Sequence, residues 1–161
     1  MNGRTLKTGI VLGTLVALAV TGCAKGSKMQ AGSGDPVADR QRVMKLHGGL
    51  WKDIQDKSKA GNIEGIAPSA EALALNAQRI PSLFPEGSLT EKSKAKPEIW
   101  QKWPEFQVSA KKLETEAVRL RDASMAKNAD ETQAIVKDFG RNACGQCHTP
   151  FRVPPPQPPR S

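Results

Sequence analysis

From residue 106 to residue 124, apolar and small side chains recur at alternating spacings of four and three: Phe106, Ala110, Leu113, Ala117, Leu120 and Ser124. That is the seam of a bundled helix, with small residues alternating with large ones. A second stripe lies nearer the start, where Val37, Met44, His47, Trp51 and Ile54 share one face and Val43, Leu46 and Leu50 widen it. This first helix is predicted to begin at Asp35-Pro36, a capping residue followed by proline at the first helical position. It runs to about Ala60, where Gly61 supplies a stop. A second helix is predicted from near Pro68 to before Pro81, with Ala70, Leu73, Ala77 and Ile80 inward. Asn128, with Glu131 three residues on, caps a fourth helix that carries Ile135, Val136, Phe139 and Ala143. Between the second and third helices runs a long connection, Pro81 to Lys96, rich in Pro, Gly and Ser. Its Leu83 and Phe84 point to a stretch folded back on the core. A short turn at Pro97–Trp100 then leads into the third helix. Four amphipathic helices, no strand pattern and one long crossover between helices two and three predict an all-α four-helix bundle.

The chain has 161 residues, enough for one domain, and no internal repeat is visible. Arg4 and Lys7 precede an apolar run from Ile10 to Val20, too short to span a bilayer, so residues 1–22 read as an export signal outside the fold. Val20-Thr21-Gly22-Cys23 resembles a bacterial lipobox, which makes Cys23 the lipidated first residue of the mature chain. Ordinary cleavage after Ala24 is the competing reading. Residues 23–34 then form a flexible tether, residues 35–152 the helical domain, and residues 153–161 a Pro-rich tail. The formal charge is +8. It stays positive without the leader, which suits acidic partner proteins or anionic headgroups. Nucleic acid is not indicated, because no basic run is interleaved with aromatics.

All 3 cysteines have a place in this scheme. Cys23 takes a lipid, and Cys144 and Cys147 belong to Cys144-Gly145-Gln146-Cys147-His148. C-x-x-C-H is the attachment signature of c-type haem. Its two thiols can each add to a porphyrin vinyl group, and the histidine can turn a ring nitrogen onto the iron. Three blander readings stand beside it. A redox dithiol would follow a strand, and none is patterned here. A zinc site would need four ligands from Cys144, Cys147, His148 and His47, although adjacent Cys147 and His148 point apart on a helix. A disulfide across two residues within a helix is geometrically poor.

With these motifs in place, the chain resembles the class II c-type cytochromes, the cytochrome c-prime family of four-helix bundles. The resemblance spans about Asp35 to Arg152. It rests on Arg40-Gln41-Arg42-Val43-Met44-Lys45, on Lys96-Pro97-Glu98-Ile99-Trp100, and on the haem motif close to the C-terminus with Phe151-Arg152 after it. It implies one haem c per chain, held by Cys144 and Cys147 with His148 as proximal ligand. Arg40 matches an arginine that approaches a haem propionate, and Gln41 a residue at the same edge. Met44 matches the position facing the distal side of the haem, where the family divides. In some members a methionine ligates the iron; in others the residue only blocks the face and leaves iron open to gases. Met44 is therefore a candidate iron ligand. Bis-histidine ligation through His47 is an alternative, with His47 otherwise expected at the pocket rim or between helices one and two. One departure concerns Pro150, which should end or kink helix four at the haem and disturb the placement of Arg152.

The resemblance implies a periplasmic, non-enzymatic electron carrier that meets redox partner proteins, in a form compatible with a homodimer and a lipid anchor. The alternative is a five-coordinate haem protein that binds nitric oxide or another small gas. A haem-free metal-binding or scaffold bundle is a third reading. No G-x-S-x-G or H-E-x-x-H occurs.

Overall fold

The computed structural model describes residues 33–156. The export signal, Cys23, nearly all of the tether and the last residues of the tail lie outside that range. Within it the chain is helical. Helix α1 spans Pro36–Lys59 and α2 spans Ala67–Ala77. The short α3 spans Glu98–Gln101, and α4 runs Trp103–Met125. The last rod is continuous: α5 (Ala129–Phe139), a π-helical turn (Gly140–Cys144) and α6 (Gly145–Phe151). Four long helical rods and one crossover make the four-helix bundle.

The ends form where the side chains dictate. Asp35 accepts hydrogen bonds from the Val37 and Ala38 amides at 2.9 and 3.2 Å, closing the start of α1 with Pro36 at its first position. Past Ala60, Gly61 takes φ +70°, a left-handed value that suits a residue without Cβ. Asn128 accepts from the Glu131 amide at 3.2 Å and donates back to the Glu131 carboxylate at 3.0 Å, so α5 starts from a reciprocal cap.

Every residue of the α4 seam is buried, from Phe106 at 1% exposure to Leu120 and Ser124 at 0%. The Ser124 hydroxyl is satisfied by the Leu120 carbonyl at 2.7 Å. The inward face of α2, Ala70, Leu73 and Ala77, packs on α4 with Ile80 just beyond it. Phe106 is the hub of an aromatic cluster. Phe84 from the crossover meets it at 4.8 Å between centroids and Phe151 from α6 at 5.5 Å, both edge to face.

The crossover is fastened at both ends. Phe84 is buried and its carbonyl accepts from Trp100 Nε1 at 3.1 Å. Further on, the Lys96 amide donates to the Phe151 carbonyl at 2.9 Å and the Val153 amide to the Lys94 carbonyl at 2.8 Å. This antiparallel bridge, Ala95 to Arg152, clasps the loop to the end of α6.

Two expectations need correction. Helix four does not end at the haem motif: α6 continues through Pro150 to Phe151, and the chain turns extended only at Arg152. Proline removes one donor, but the bridge takes over the carbonyl of Phe151, and the burial of Phe151 beside Phe106 holds the last turn. The rod changes character before the motif instead. Ile135, Phe139, Ala143 and Phe151 are all buried and recur, with half-buried Cys147, at a strict interval of four. An α-helix drifts by about 40° over each four residues. The wider π turn takes up part of that drift and keeps the stripe facing inward. The second correction is Leu46, which is 46% exposed. It sits on the far edge of the α1 stripe, beyond reach of the core.

Candidate functional site

The middle of α1 differs from the rest of the bundle. Met44, His47, Leu50 and Trp51 are only half-buried, although the helix is closed into the core at Val37, Val43 and Ile54. The reason is a cleft between α1 and the α5–α6 rod. Its inner part, about 190 Å³, is lined by Trp51, Leu73, Leu113 and Phe139 together with Met44, His47, Cys144, Cys147 and His148. Trp51 and Phe139 stack across its floor at 5.0 Å between centroids. The outer part, about 400 Å³, is walled by Arg40, Gln41, Ser93, Lys94, Ala95 and Arg152. Met44 and His148 line both parts and so mark where the two meet. One end of the cleft is thus apolar and carries the thiols; the other is polar and carries cationic side chains.

The two thiols are free and not joined as a disulfide. Burial raises both, and pushes Cys147 up to about 12. A redox dithiol needs a depressed pKa and a cation nearby to hold the thiolate. These thiols have the opposite environment. Among the described residues, no cluster of three or more His, Cys, Asp or Glu has the arrangement to hold a metal ion.

Arg40 is buried at 5% exposure. Nε donates to the Pro36 carbonyl at 3.0 Å, Nη2 donates to the Ser88 carbonyl at 2.6 Å, and the guanidinium lies 4.5 Å from the Phe84 ring centroid. Its Nη1 is buried with no partner. Desolvation lowers its pKa, opposed by the charge of Asp35. One donor of the fork is therefore left over at the wall of the outer cavity. His47 Nε2 is likewise buried without a partner. Burial, with the charge of His148 adding to it, brings the His47 pKa down to about 4. His148 is shifted down as well, by desolvation first and by Arg152 second. Arg152 stands next to His148 despite Pro150, its amide donating to the His148 carbonyl at 3.2 Å.

The structure thus brings Arg40, Gln41, Met44, Cys144, Cys147, His148 and Arg152 to one cleft, and His47 lines its inner part. Sequence reasoning missed three parts. Ser93, Lys94 and Ala95 wall the outer cavity, and the loop gives no periodic signal of that. The tie from Arg40 to Ser88 spans 48 residues and has no local signature. The π turn did have one, the strict four-residue spacing from Ile135 to Phe151.

A helical bundle with a cleft that holds C-x-x-C-H at its apolar end defines a class, the helical-bundle c-type cytochromes. Comparison with known proteins narrows it. The sequence profile of the family described as Cytochrome C' matches residues 35–152. Cytochrome c-556 of Agrobacterium fabrum is 33% identical over 150 residues, covering 88% of this chain and 96% of that protein. Among solved structures, the cytochrome c' of Thermochromatium tepidum superposes with a TM-score of 0.67 at 22% identity, over 78% of this chain and 100% of that one. A nitric oxide complex of a variant of Alcaligenes xylosoxidans cytochrome c' gives a TM-score of 0.67 at 23% identity, over 78% and 99%. The chain belongs to the cytochrome c' family, and its cofactor is haem c, one per chain.

The cleft fits that group on its own terms. A porphyrin is apolar across the ring and anionic at its propionates, and the cleft has the same gradient. Arg40 lines the polar end, and its Nη1 is a donor that no protein acceptor uses, which suits a carboxylate bound there.

Proposed function

We propose that this chain is a periplasmic, membrane-tethered monohaem cytochrome that carries single electrons and catalyses no reaction of its own. The observation that carries the reading is the position of Met44 and His148, from α1 and α6, as the two side chains common to both halves of the cleft. Haem c supplies a one-electron ferric–ferrous couple and, where a sixth position is open, a site for a small gas. Cys144 and Cys147 would hold it by thioethers, His148 would be the proximal ligand, and Met44 would be a second iron ligand, a thioether that favours ferrous iron and raises the potential. Arg40 Nη1 and Gln41 take the propionates. Lys94 and Arg152 add positive charge at the outer opening, which suits an acidic redox partner. Residues 1–22 act as the export signal, and Cys23 carries the lipid that holds residues 35–152 at the membrane on the tether. The chain is compatible with a homodimer.

A second reading, a binder of nitric oxide or another small gas, is favoured by Gly48. It lines the inner cavity, and nothing stands within 4 Å of where a Cβ would be, so the wall beside Met44 is open. A relative is known as a nitric oxide complex.

Absorption spectra of the haem-loaded protein separate the two. Electron transfer expects sharp low-spin bands that resist carbon monoxide, with Met44→Ala turning them high-spin and gas-sensitive. A broad high-spin spectrum that shifts with carbon monoxide in the unaltered protein replaces the first reading with the second. Cys144→Ala/Cys147→Ala should carry no covalent haem by mass spectrometry; covalent haem in that variant would overturn the site.

A further inference from the structure

Among the α1 residues that line the cleft, Arg40, Met44, His47 and Trp51 follow one another along one stripe of the helix. Arg40 lies at the polar end and Trp51 at the apolar end, with Met44 at the junction. His47 belongs to the inner half alone, one step past Met44 toward the thiols. Residues three apart on a helix are surface neighbours, so His47 stands beside the group that faces the iron and not in its place.

Its chemistry is unusual for that wall. Apart from the haem-motif residues, the rest of the inner cavity is apolar except for the indole of Trp51 and the hydroxyl of Ser109, which already donates to the Glu105 carbonyl at 3.0 Å. A buried polar atom with no partner costs about 1–3 kcal/mol, so an imidazole nitrogen left orphaned there calls for an explanation. A neutral imidazole carries one N–H and one lone pair, so with the proton on Nε2 this cavity-lining side chain holds a donor that no protein acceptor uses. Gly48 next to it leaves room for a small molecule.

We propose that His47 is the hydrogen-bond donor to a small molecule bound at the sixth position of the iron, selecting diatomic or anionic ligands whose outer atom accepts a hydrogen bond. The inference rests on the haem reading above. His47 touches the ligand and not the metal. Where Met44 occupies the sixth position, the donor acts once Met44 is displaced, so the same helix offers a ligand and, three residues on, a partner for whatever replaces it.

The test uses the haem-loaded protein, first checked for covalent haem by mass spectrometry, in the Met44→Ala background so that the sixth position is open. Carbon monoxide and cyanide are the probes. The C–O stretching frequency is expected to be lower with His47 than in the His47→Leu partner variant, because a donor at the outer oxygen weakens the C–O bond. Cyanide is expected to bind about fivefold more weakly to His47→Leu, the equivalent of one ordinary hydrogen bond. His47→Gln, which keeps an amide donor, should restore most of both effects. Equal stretching frequencies and equal cyanide affinities, with haem attached, overturn the inference and leave the haem reading standing. A low-spin bis-histidine spectrum in Met44→Ala that disappears with His47→Leu also overturns it, by making His47 a ligand. Absence of covalent haem in the otherwise unaltered protein would sink the haem reading and this inference together.

Discussion

The seam of α4 and the central stripe of α1 are written in the same code, and the molecule uses them differently. Both place apolar residues at helical intervals. On α4, every seam position from Phe106 to Ser124 is closed over by the rest of the protein, and its one polar seam member is satisfied. On α1, Met44, His47 and Trp51 stay half-buried, and Arg40 and His47 each keep a buried nitrogen without a partner. The first stripe is complete with protein alone. The second is complete only with something else in the cleft. Periodicity reports that a face is apolar; it does not report what the face is for. On this face the unpartnered Arg40 and His47 nitrogens add what periodicity leaves out, because a packed core leaves few such atoms.

The sharpest way to break this contrast is truncation at matched positions. Phe106→Ala should destabilise the haem-loaded protein by about 3–5 kcal/mol in denaturant unfolding, since it removes the hub of the aromatic cluster. Met44→Ala should cost less than half of that while changing the visible spectrum, which Phe106→Ala should leave in place. If Met44→Ala proves as costly as Phe106→Ala and spectrally silent, the α1 stripe is ordinary core.

Arg40→Lys comes next. A lysine keeps the charge but cannot serve Pro36, Ser88 and the cleft at once or stack on Phe84 in the same way. About 1–3 kcal/mol of stability should be lost, and the midpoint potential should move by voltammetry. A stability loss with an unmoved potential would assign Arg40 to the crossover alone.

The pH dependence sharpens the comparison from another side. His47 has its folded pKa lowered from 6.5 to about 4. Between those values the unfolded chain binds more protons at this residue than the folded one, so stability rises with pH there. The contribution is fully present above about 6.5 and is lost as pH falls toward 4. Urea midpoints measured across that window should decline with acid, and His47→Gln should flatten the decline. The smallest effect belongs to a site remote from both stripes: Asn128→Ala should cost about 1 kcal/mol by loss of the α5 cap, with an unchanged spectrum.

Much of this architecture is legible in the sequence because its causes are local. The cap at Asp35-Pro36, the left-handed Gly61, the reciprocal Asn128–Glu131 pair and the α4 seam each depend on residues within a turn or two of one another. The haem motif is legible for the same reason, and the family resemblance singles out Met44 and Arg40, whose one-turn spacing on α1 puts them on one face. What escapes is non-local. Nothing near Ser88 announces that its carbonyl will hold Arg40, and nothing in Lys94–Lys96 announces a partner beyond Phe151. Pro150 misled for a related reason: its local effect is to end a helix, and only the distant packing of Phe151 against Phe106 and the bridge to Lys96 outweigh it. His47 on an apolar face gives no sign in the sequence that its Nε2 stays buried without a protein partner, because that depends on which distant residues surround it.

The clasp between Lys94–Lys96 and Phe151–Val153 also has a meaning in time. Its two halves are far apart along the chain, so it is a contact that pays a long loop closure before it forms. The wall that Ser93 to Ala95 give the outer cavity is thus fixed only when the end of α6 is in place, late in folding.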